Sequence, residues 1–224
     1  MIDYEIEFDE NVSISPSDAL IIVDIQNDFI PGGNLPVAGG DEIIDGINEL
    51  QEFFLSKNAR IVLTQDWHPQ DHNSFASMHE GKEPFDPHEE AGIGPVLWPD
   101  HCVQGSRGAE FHPKLNLNNA KAIIRKGYNT QIDSYSGFIE NDKKTLTGLS
   151  GYLKTSNISR IFICGLALDY CVYYTAIDGM KLGFDVYVIP DLTRGIDDPE
   201  NNIKNTLEDM KRNGIKFVKY QEII

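Results

Sequence analysis

Cysteine is scarce: the 224 residues hold three, an odd number that makes no disulfide framework. That points to a reducing, cytoplasmic setting, with the nucleus left open, rather than to a secreted scaffold. Cations are scarce too. Lys and Arg number 19 against 35 Asp and Glu, a formal net charge of −16. The chain therefore lacks the clustered basic face that nucleic acid requires, and an anionic membrane surface repels it. No apolar run approaches the roughly 20 residues of a spanning helix. The opening MIDYEIEFDENVSISPSD has no apolar stretch of the kind that marks a signal peptide. No GxGxxG follows the first apolar run, and PGGNLPVAGG has the wrong spacing and an internal proline. A dinucleotide fingerprint is thus missing. Internal repeats and low-complexity linkers are missing as well.

What is present is a hydrophobic content of 41%, enough for one large core. The expectation is a single domain over 1–224, with an acidic N-terminal extension over 1–18. Apolar, β-branched runs at 19–24, 59–65, 120–127, 160–166, 184–190 and 215–220 read as strands. Helix-period stretches fall at 41–57, started by Asp41, and at 146–157, 169–183 and 199–213. Near-continuous apolar strands alternating with helices predict an α/β fold. Its form is a three-layer sandwich around a central, mostly parallel, Rossmann-like sheet of about six strands. The stretch 66–119 has no sustained period but is dense in Pro, Gly, His and Trp. A loop region that long inside a domain points to function.

Ligands of such sheets bind beyond the carboxyl ends of the strands. Asp24, Asp66 with His68, Lys126 and the loop leading to Cys171 all fall there. Cys171 sits in the first turn of a helix after a strand, where unsatisfied N–H groups favour a thiolate, and a nearby Lys126 would favour it further. Cys164, inside RIFICGL, and Cys102 read as buried hydrophobes. Asp24 closes a strongly apolar strand, so it must be paired or have its pKa raised. Either state suits a group that takes a proton from a thiol and returns it to a leaving amine. Asp28 is the better candidate for a cap. In AIIRK, Arg125 and Lys126 point to opposite faces, so only one can serve the site. Asp66 and His68 project to one side of an extended chain, as two ligands of one metal do. A third could come from His72, His79, His88, His101 or His112.

Five motifs carry a resemblance: DIQNDFIPGGNLPV, TQDWHPQDHNSFA, WPDHCVQGSRGAEFHP, IIRKGYNTQIDSYSGF and GLALDYCVYYTA. In this order they resemble the nicotinamidases of the isochorismatase-like cysteine hydrolase superfamily, from about Ala19 to Val188. The resemblance implies hydrolysis of the small molecule nicotinamide to nicotinate and ammonia through a cysteine thioester, in the salvage of NAD. It implies Asp24, Lys126 and Cys171 as the catalytic trio. It selects His101 as the third metal ligand beside Asp66 and His68, and leaves His72 as a position where some relatives add another. Zn2+ is the implied cofactor, with Fe2+ or Mn2+ compatible. Phe29, Trp98 and Tyr135 fall where the family walls the pyridine ring, and the N–H groups of Ala167 and Cys171 where it forms an oxyanion hole. Leu168 replaces a common Thr. The resemblance says little about the insert 83–97 or the N-terminal extension. A homo-oligomer is compatible with it. The alternatives are another small-amide or carbamoyl hydrolase of the same superfamily, or a catalytically silent binding homologue.

Overall fold

The computed structural model describes residues 6–224; of the N-terminal extension, 1–5 lie outside the described residues. Six strands form one sheet in the order β3-β2-β1-β4-β5-β6, every pairing parallel. They are β1 (Asp18–Val23), β2 (Arg60–Asp66), β3 (Ala122–Lys126), β4 (Arg160–Leu166), β5 (Asp185–Arg194) and β6 (Lys216–Phe217). The helices are α1 (Ile44–Ser56), α2 (Leu149–Thr155), α3 (Tyr173–Lys181) and α4 (Asn202–Arg212). The strand order reverses between β1 and β4, the switch point where such sheets open a crevice. α1 packs on the face to which Phe162 of β4 points, and α3 on the opposite face, where Gly179 lies against Ile161.

The central strands have no solvent-facing side, which explains their unbroken apolar runs. All six residues of β1 are buried, as are the last six of β2 and of β4. α1 buries the stripe Ile44, Ile47, Leu50, Gln51 and Phe54. Phe54 meets Phe162 of β4 edge-on at 5.4 Å, and Phe162 stacks on Tyr187 of β5 at 4.9 Å. Edge strand β3 alternates instead, with Ile123 and Arg125 exposed and Lys126 buried.

Several boundaries move for physical reasons. α1 begins at Ile44, and no side chain caps it. Asp41 serves by its backbone carbonyl, which accepts the Ile44 N–H. The stretch 169–183 opens as a π-helical turn, Leu168–Val172, before α3 begins. The last strand shrinks to two residues. β5 does not stop at Pro190: the β4–β5 register shifts between Ile163 and Gly165, and the strand resumes as far as Arg194. A proline in a strand is tolerated at such an irregularity, where no ladder N–H is required of it. The acidic extension packs rather than trails. Val12 and Ile14 are buried, and Asp9 bridges to Val218 beside β6.

The 66–119 stretch contains only two short 3-10 turns, at 76–78 and 117–119. Single bridges fix it instead, among them His68 with Val103 and Phe75 with Trp98. Within it, the 83–97 insert folds back on itself through Pro87–Val96 and Glu90–Ile93. Ala76, Ile93 and Leu97 form a small satellite core beneath it.

Phe162 joins the layers, so Phe162→Ala should lower the unfolding free energy by about 3–5 kcal/mol. Urea denaturation measures this; a loss below about 1 kcal/mol would contradict the packing described.

Candidate active site

Four neighbouring strands deliver polar groups to one place. Asp24 follows β1 directly with a φ of +47°, a left-handed conformation that Asp tolerates better than most residues. Its Oδ1 accepts a hydrogen bond from Thr64 Oγ1 at 2.7 Å. β2 ends in Asp66 and β3 in Lys126, paired across the sheet. β4 ends in Leu166, joined to Ala167 by a cis peptide bond, and the π-helical turn then presents Cys171.

Lys126 is the hub. Fully buried, its Nζ donates to Asp66 Oδ1 at 2.5 Å and to the Ser134 carbonyl at 2.9 Å. It lies 2.9 Å from Asp24 Oδ2 and 3.4 Å from Cys171 Sγ. Burial opposes its charge, but Asp24 and Asp66 outweigh burial and push its pKa well up. Arg125, the other basic residue of the strand end, turns away and stacks over Trp67 at 3.9 Å. Carboxylate oxygens of Asp24 and Asp66 and the Cys171 sulfur all lie within 4.8 Å of one another.

The thiol departs from the helix-start expectation. Burial pushes the Cys171 pKa well above the usual range, more than the neighbouring ammonium lowers it. Burial likewise raises Asp24, against the pull of Lys126. The sulfur therefore needs a base to remove its proton, and the Asp24 carboxylate, within 4.8 Å of it, is in reach. Cys102 and Cys164 are buried in the main core, as expected of them.

Asp66 faces two ways. Beyond Oδ1, its Oδ2 lies 3.6 Å from His68 Nε2 and 3.8 Å from His101 Nε2. Both imidazoles donate from Nδ1 to carbonyls, His68 to Gly127 and His101 to Pro99, each at 2.8 Å. A carbonyl only accepts, so Nδ1 carries the proton and Nε2 turns a lone pair inward. Burial and His68 push His101 down to about 4, while Asp66 overcomes burial to push His68 up. Lys126 and His68 outweigh burial to hold Asp66 below the usual carboxylate range. Two nitrogens and a carboxylate oxygen that favour positive charge between them fit a divalent metal. His72 stands outside this group. Its nitrogens meet Ser74 Oγ at 2.7 Å and the Ile132 carbonyl at 3.3 Å, although its ring lies 4.4 Å from that of His68. His79, His88 and His112 bond to Asn73, Glu90 and Lys114, away from the cluster.

Between Cys171 and the histidines lies a small cavity of about 20 Å³. Phe29, Trp98 and Tyr135 line it, as do Ala167 and Cys171. Trp98 Nε1 donates to the Tyr135 hydroxyl, which donates in turn to the Gly94 carbonyl of the 83–97 insert. That insert thus sets the tilt of one wall. Asp28 acts as a clamp: its carboxylate takes the N–H groups of Asn34 and Cys102, fixing the loop that bears His101.

Sequence reasoning missed Thr64, Asp133, Tyr170, Leu35 and Ile196. Thr64 shares its strand face with Asp66, two residues on, and strand period alone could have found it. Asp133 lines the cavity with its Oδ2 free of any partner among the described residues. It precedes Tyr135 by two, a spacing that carries little signal within a loop.

Replacing Lys126 by Met should strand two buried carboxylates and destabilise the protein by about 3–5 kcal/mol at pH 7.5. The loss should shrink as pH falls below about 4, because the depressed Asp66 gives the wild type stability only above its unfolded pKa. Urea titrations at pH 7.5 and 3 test this; a loss independent of pH would contradict it.

Residues 18–221 match the Isochorismatase domain family. A nicotinamidase of Acinetobacter baylyi is 50% identical over 207 residues, 92% of this chain and 94% of that one. The crystal structure of PnC1 from L. infantum in complex with nicotinate superposes with a TM-score of 0.83 at 39% identity, covering 95% of this chain and 98% of its own. Pyrazinamidase of Pyrococcus horikoshii in complex with zinc gives 0.75 at 41% identity, over 91% and 99%. With the family matched across nearly its whole length, the chain belongs to the isochorismatase family.

Proposed function

We propose that the protein is a metal-dependent nicotinamidase, an amidohydrolase converting nicotinamide to nicotinate and ammonia. One observation carries the reading: Cys171, backed by Asp24 and Lys126, lines the same cavity as Asp66, His68 and His101. Relatives named for nicotinamide hydrolysis and a zinc-bound relative support substrate and metal respectively. Asp66, His68 and His101 would hold the ion, zinc first, and a metal there supplies Lewis acidity toward the nitrogen of a bound pyridine.

The remaining chemistry belongs to the chain. Phe29, Trp98 and Tyr135 hold the ring by aromatic contact and exclude water around it. Asp24 takes the Cys171 proton, and the thiolate attacks the carboxamide carbon. Lys126 offsets the negative charge that this transfer leaves between Asp24 and sulfur. Backbone N–H groups of Ala167 and Cys171 receive the developing oxyanion, worth about 3–4 kcal/mol per donor in such sites. Asp24 returns the proton to departing ammonia, leaving an acyl thioester on Cys171. Water, deprotonated by Asp24, attacks that thioester, the C–S bond breaks to free the acid, and Asp24 returns the proton to the sulfur of Cys171. In this reading the enzyme works in nicotinamide salvage toward NAD, in the cytoplasm, which its three cysteines without a disulfide framework support.

Cys171→Ala should lose turnover by at least about a thousandfold while still binding metal and nicotinamide. Ammonia release and equilibrium dialysis test this, and near-normal release would sink the assignment. Asp66→Ala should lower bound metal and activity together. Metal analysis showing unchanged stoichiometry would refute the ligand set.

A further inference from the structure

β5 continues past Pro190 to Arg194, level with the last residue of β4. The loop that follows begins beside the nucleophile's own turn. Ile196 in that loop lines the catalytic cavity, one of two aliphatic side chains, with Leu35, on a wall otherwise aromatic or polar apart from Ala167. Its position is fixed from beneath by Asp169, only 1% exposed and two residues before Cys171. The Asp169 carboxylate accepts the Ile196 N–H at 2.9 Å, the Asp197 N–H at 2.8 Å and the Asn202 side-chain amide at 3.2 Å. Tyr170, also a cavity residue, donates its hydroxyl to the Asp198 carbonyl at 2.6 Å. The approach is close, so any side chain at 195 would have to displace Ile203 or the Asp169 carboxylate. A Cβ there would fall 2.9 Å from Asp169 Oδ1 and 2.6 Å from Ile203 Cδ1.

Burying a carboxylate to receive backbone N–H groups is costly unless the geometry it holds is needed. This one holds the loop at Ile196 and Asp197 and the start of α4 at Asn202, and with them the place of Ile196 against the cavity. A rigid hydrophobic wall excludes added bulk, each methyl group altering discrimination by about 10–200-fold in a fitted pocket. We propose that Ile196 is a specificity-determining residue that limits ring substituents on heteroaromatic carboxamides, and that Asp169 is the positioning residue that sets it. The proposal rests on the nicotinamidase reading given above.

The test compares kcat/KM for nicotinamide with that for its 2-, 4-, 5- and 6-methyl derivatives, using ammonia release by the metal-loaded enzyme. Ile196→Ala should raise the ratio of at least one methyl derivative to nicotinamide by about tenfold or more. Ile196→Val should move the same ratio the same way by less. Asp169→Asn, which cannot accept from both loop N–H groups, should shift that ratio too, and raise KM for nicotinamide more than it lowers kcat. A purely structural role for Asp169 would lower kcat alone and leave the ratio fixed, overturning its assignment. Ratios unchanged within about twofold in both Ile196 variants, with wild type active on nicotinamide, overturn the specificity proposal alone. Wild type inactive on nicotinamide overturns the underlying reading, and the proposal falls with it.

Discussion

One buried ammonium holds the site together. Lys126 lies among two carboxylates, a carbonyl and a thiol, all buried. In that environment either carboxylate alone would be strongly destabilising, and the lysine alone equally so. Together they fix one another's charge, and the arrangement sets the chemistry available. Asp66 is held ionised and turns its second oxygen to the histidines. Asp24 is raised and kept beside the sulfur. A proton can then move between thiol and carboxylate within a field that Lys126 keeps steady.

The sheet explains why these groups meet. Parallel strands end at one edge, so β1 to β4 contribute one polar residue each at or just past their carboxyl ends. The loops do the finer work. Carbonyls of Gly127 and Pro99 orient the two imidazoles, Asp28 ties down the turn before the second of them, and the 83–97 insert supports Tyr135 through the Gly94 carbonyl. Almost every one of these fixings is a side chain bonded to backbone. That is how a long segment without regular structure keeps a defined shape.

Much of this was legible in the sequence. The strands were visible because burial on both faces demands unbroken apolar runs, and Asp24, Asp66, Lys126 and Cys171 stood out as polar groups at their ends. Arg125 and Lys126 could be separated only as facing opposite ways; that Lys126 is the inward one follows from the sheet. Of five candidate histidines, spacing chose none. His101 belongs with Asp66 and His68 through the loop's path, which the resemblance supplied and periodicity could not. The direction of the Cys171 shift was misread, because a helix start says nothing about how deeply the turn is buried. Ile196 was invisible. Pro190 reads as a strand's end, and only the register shift in β5 lets the chain run on to the cavity.

The negative charge of the chain, −16 overall, does not extend unbalanced into the site. There Lys126 and the positive charge favoured between Asp66 and the histidines partly offset the carboxylates. With Cys171 as nucleophile, its Sγ becomes acylated during turnover. Acid quenching of the enzyme while it consumes nicotinamide, followed by peptide mass spectrometry, detects that species. The expected result is a nicotinoyl group on the peptide bearing Cys171, lost on treatment with hydroxylamine. Steady turnover with the acyl group on another residue would contradict it.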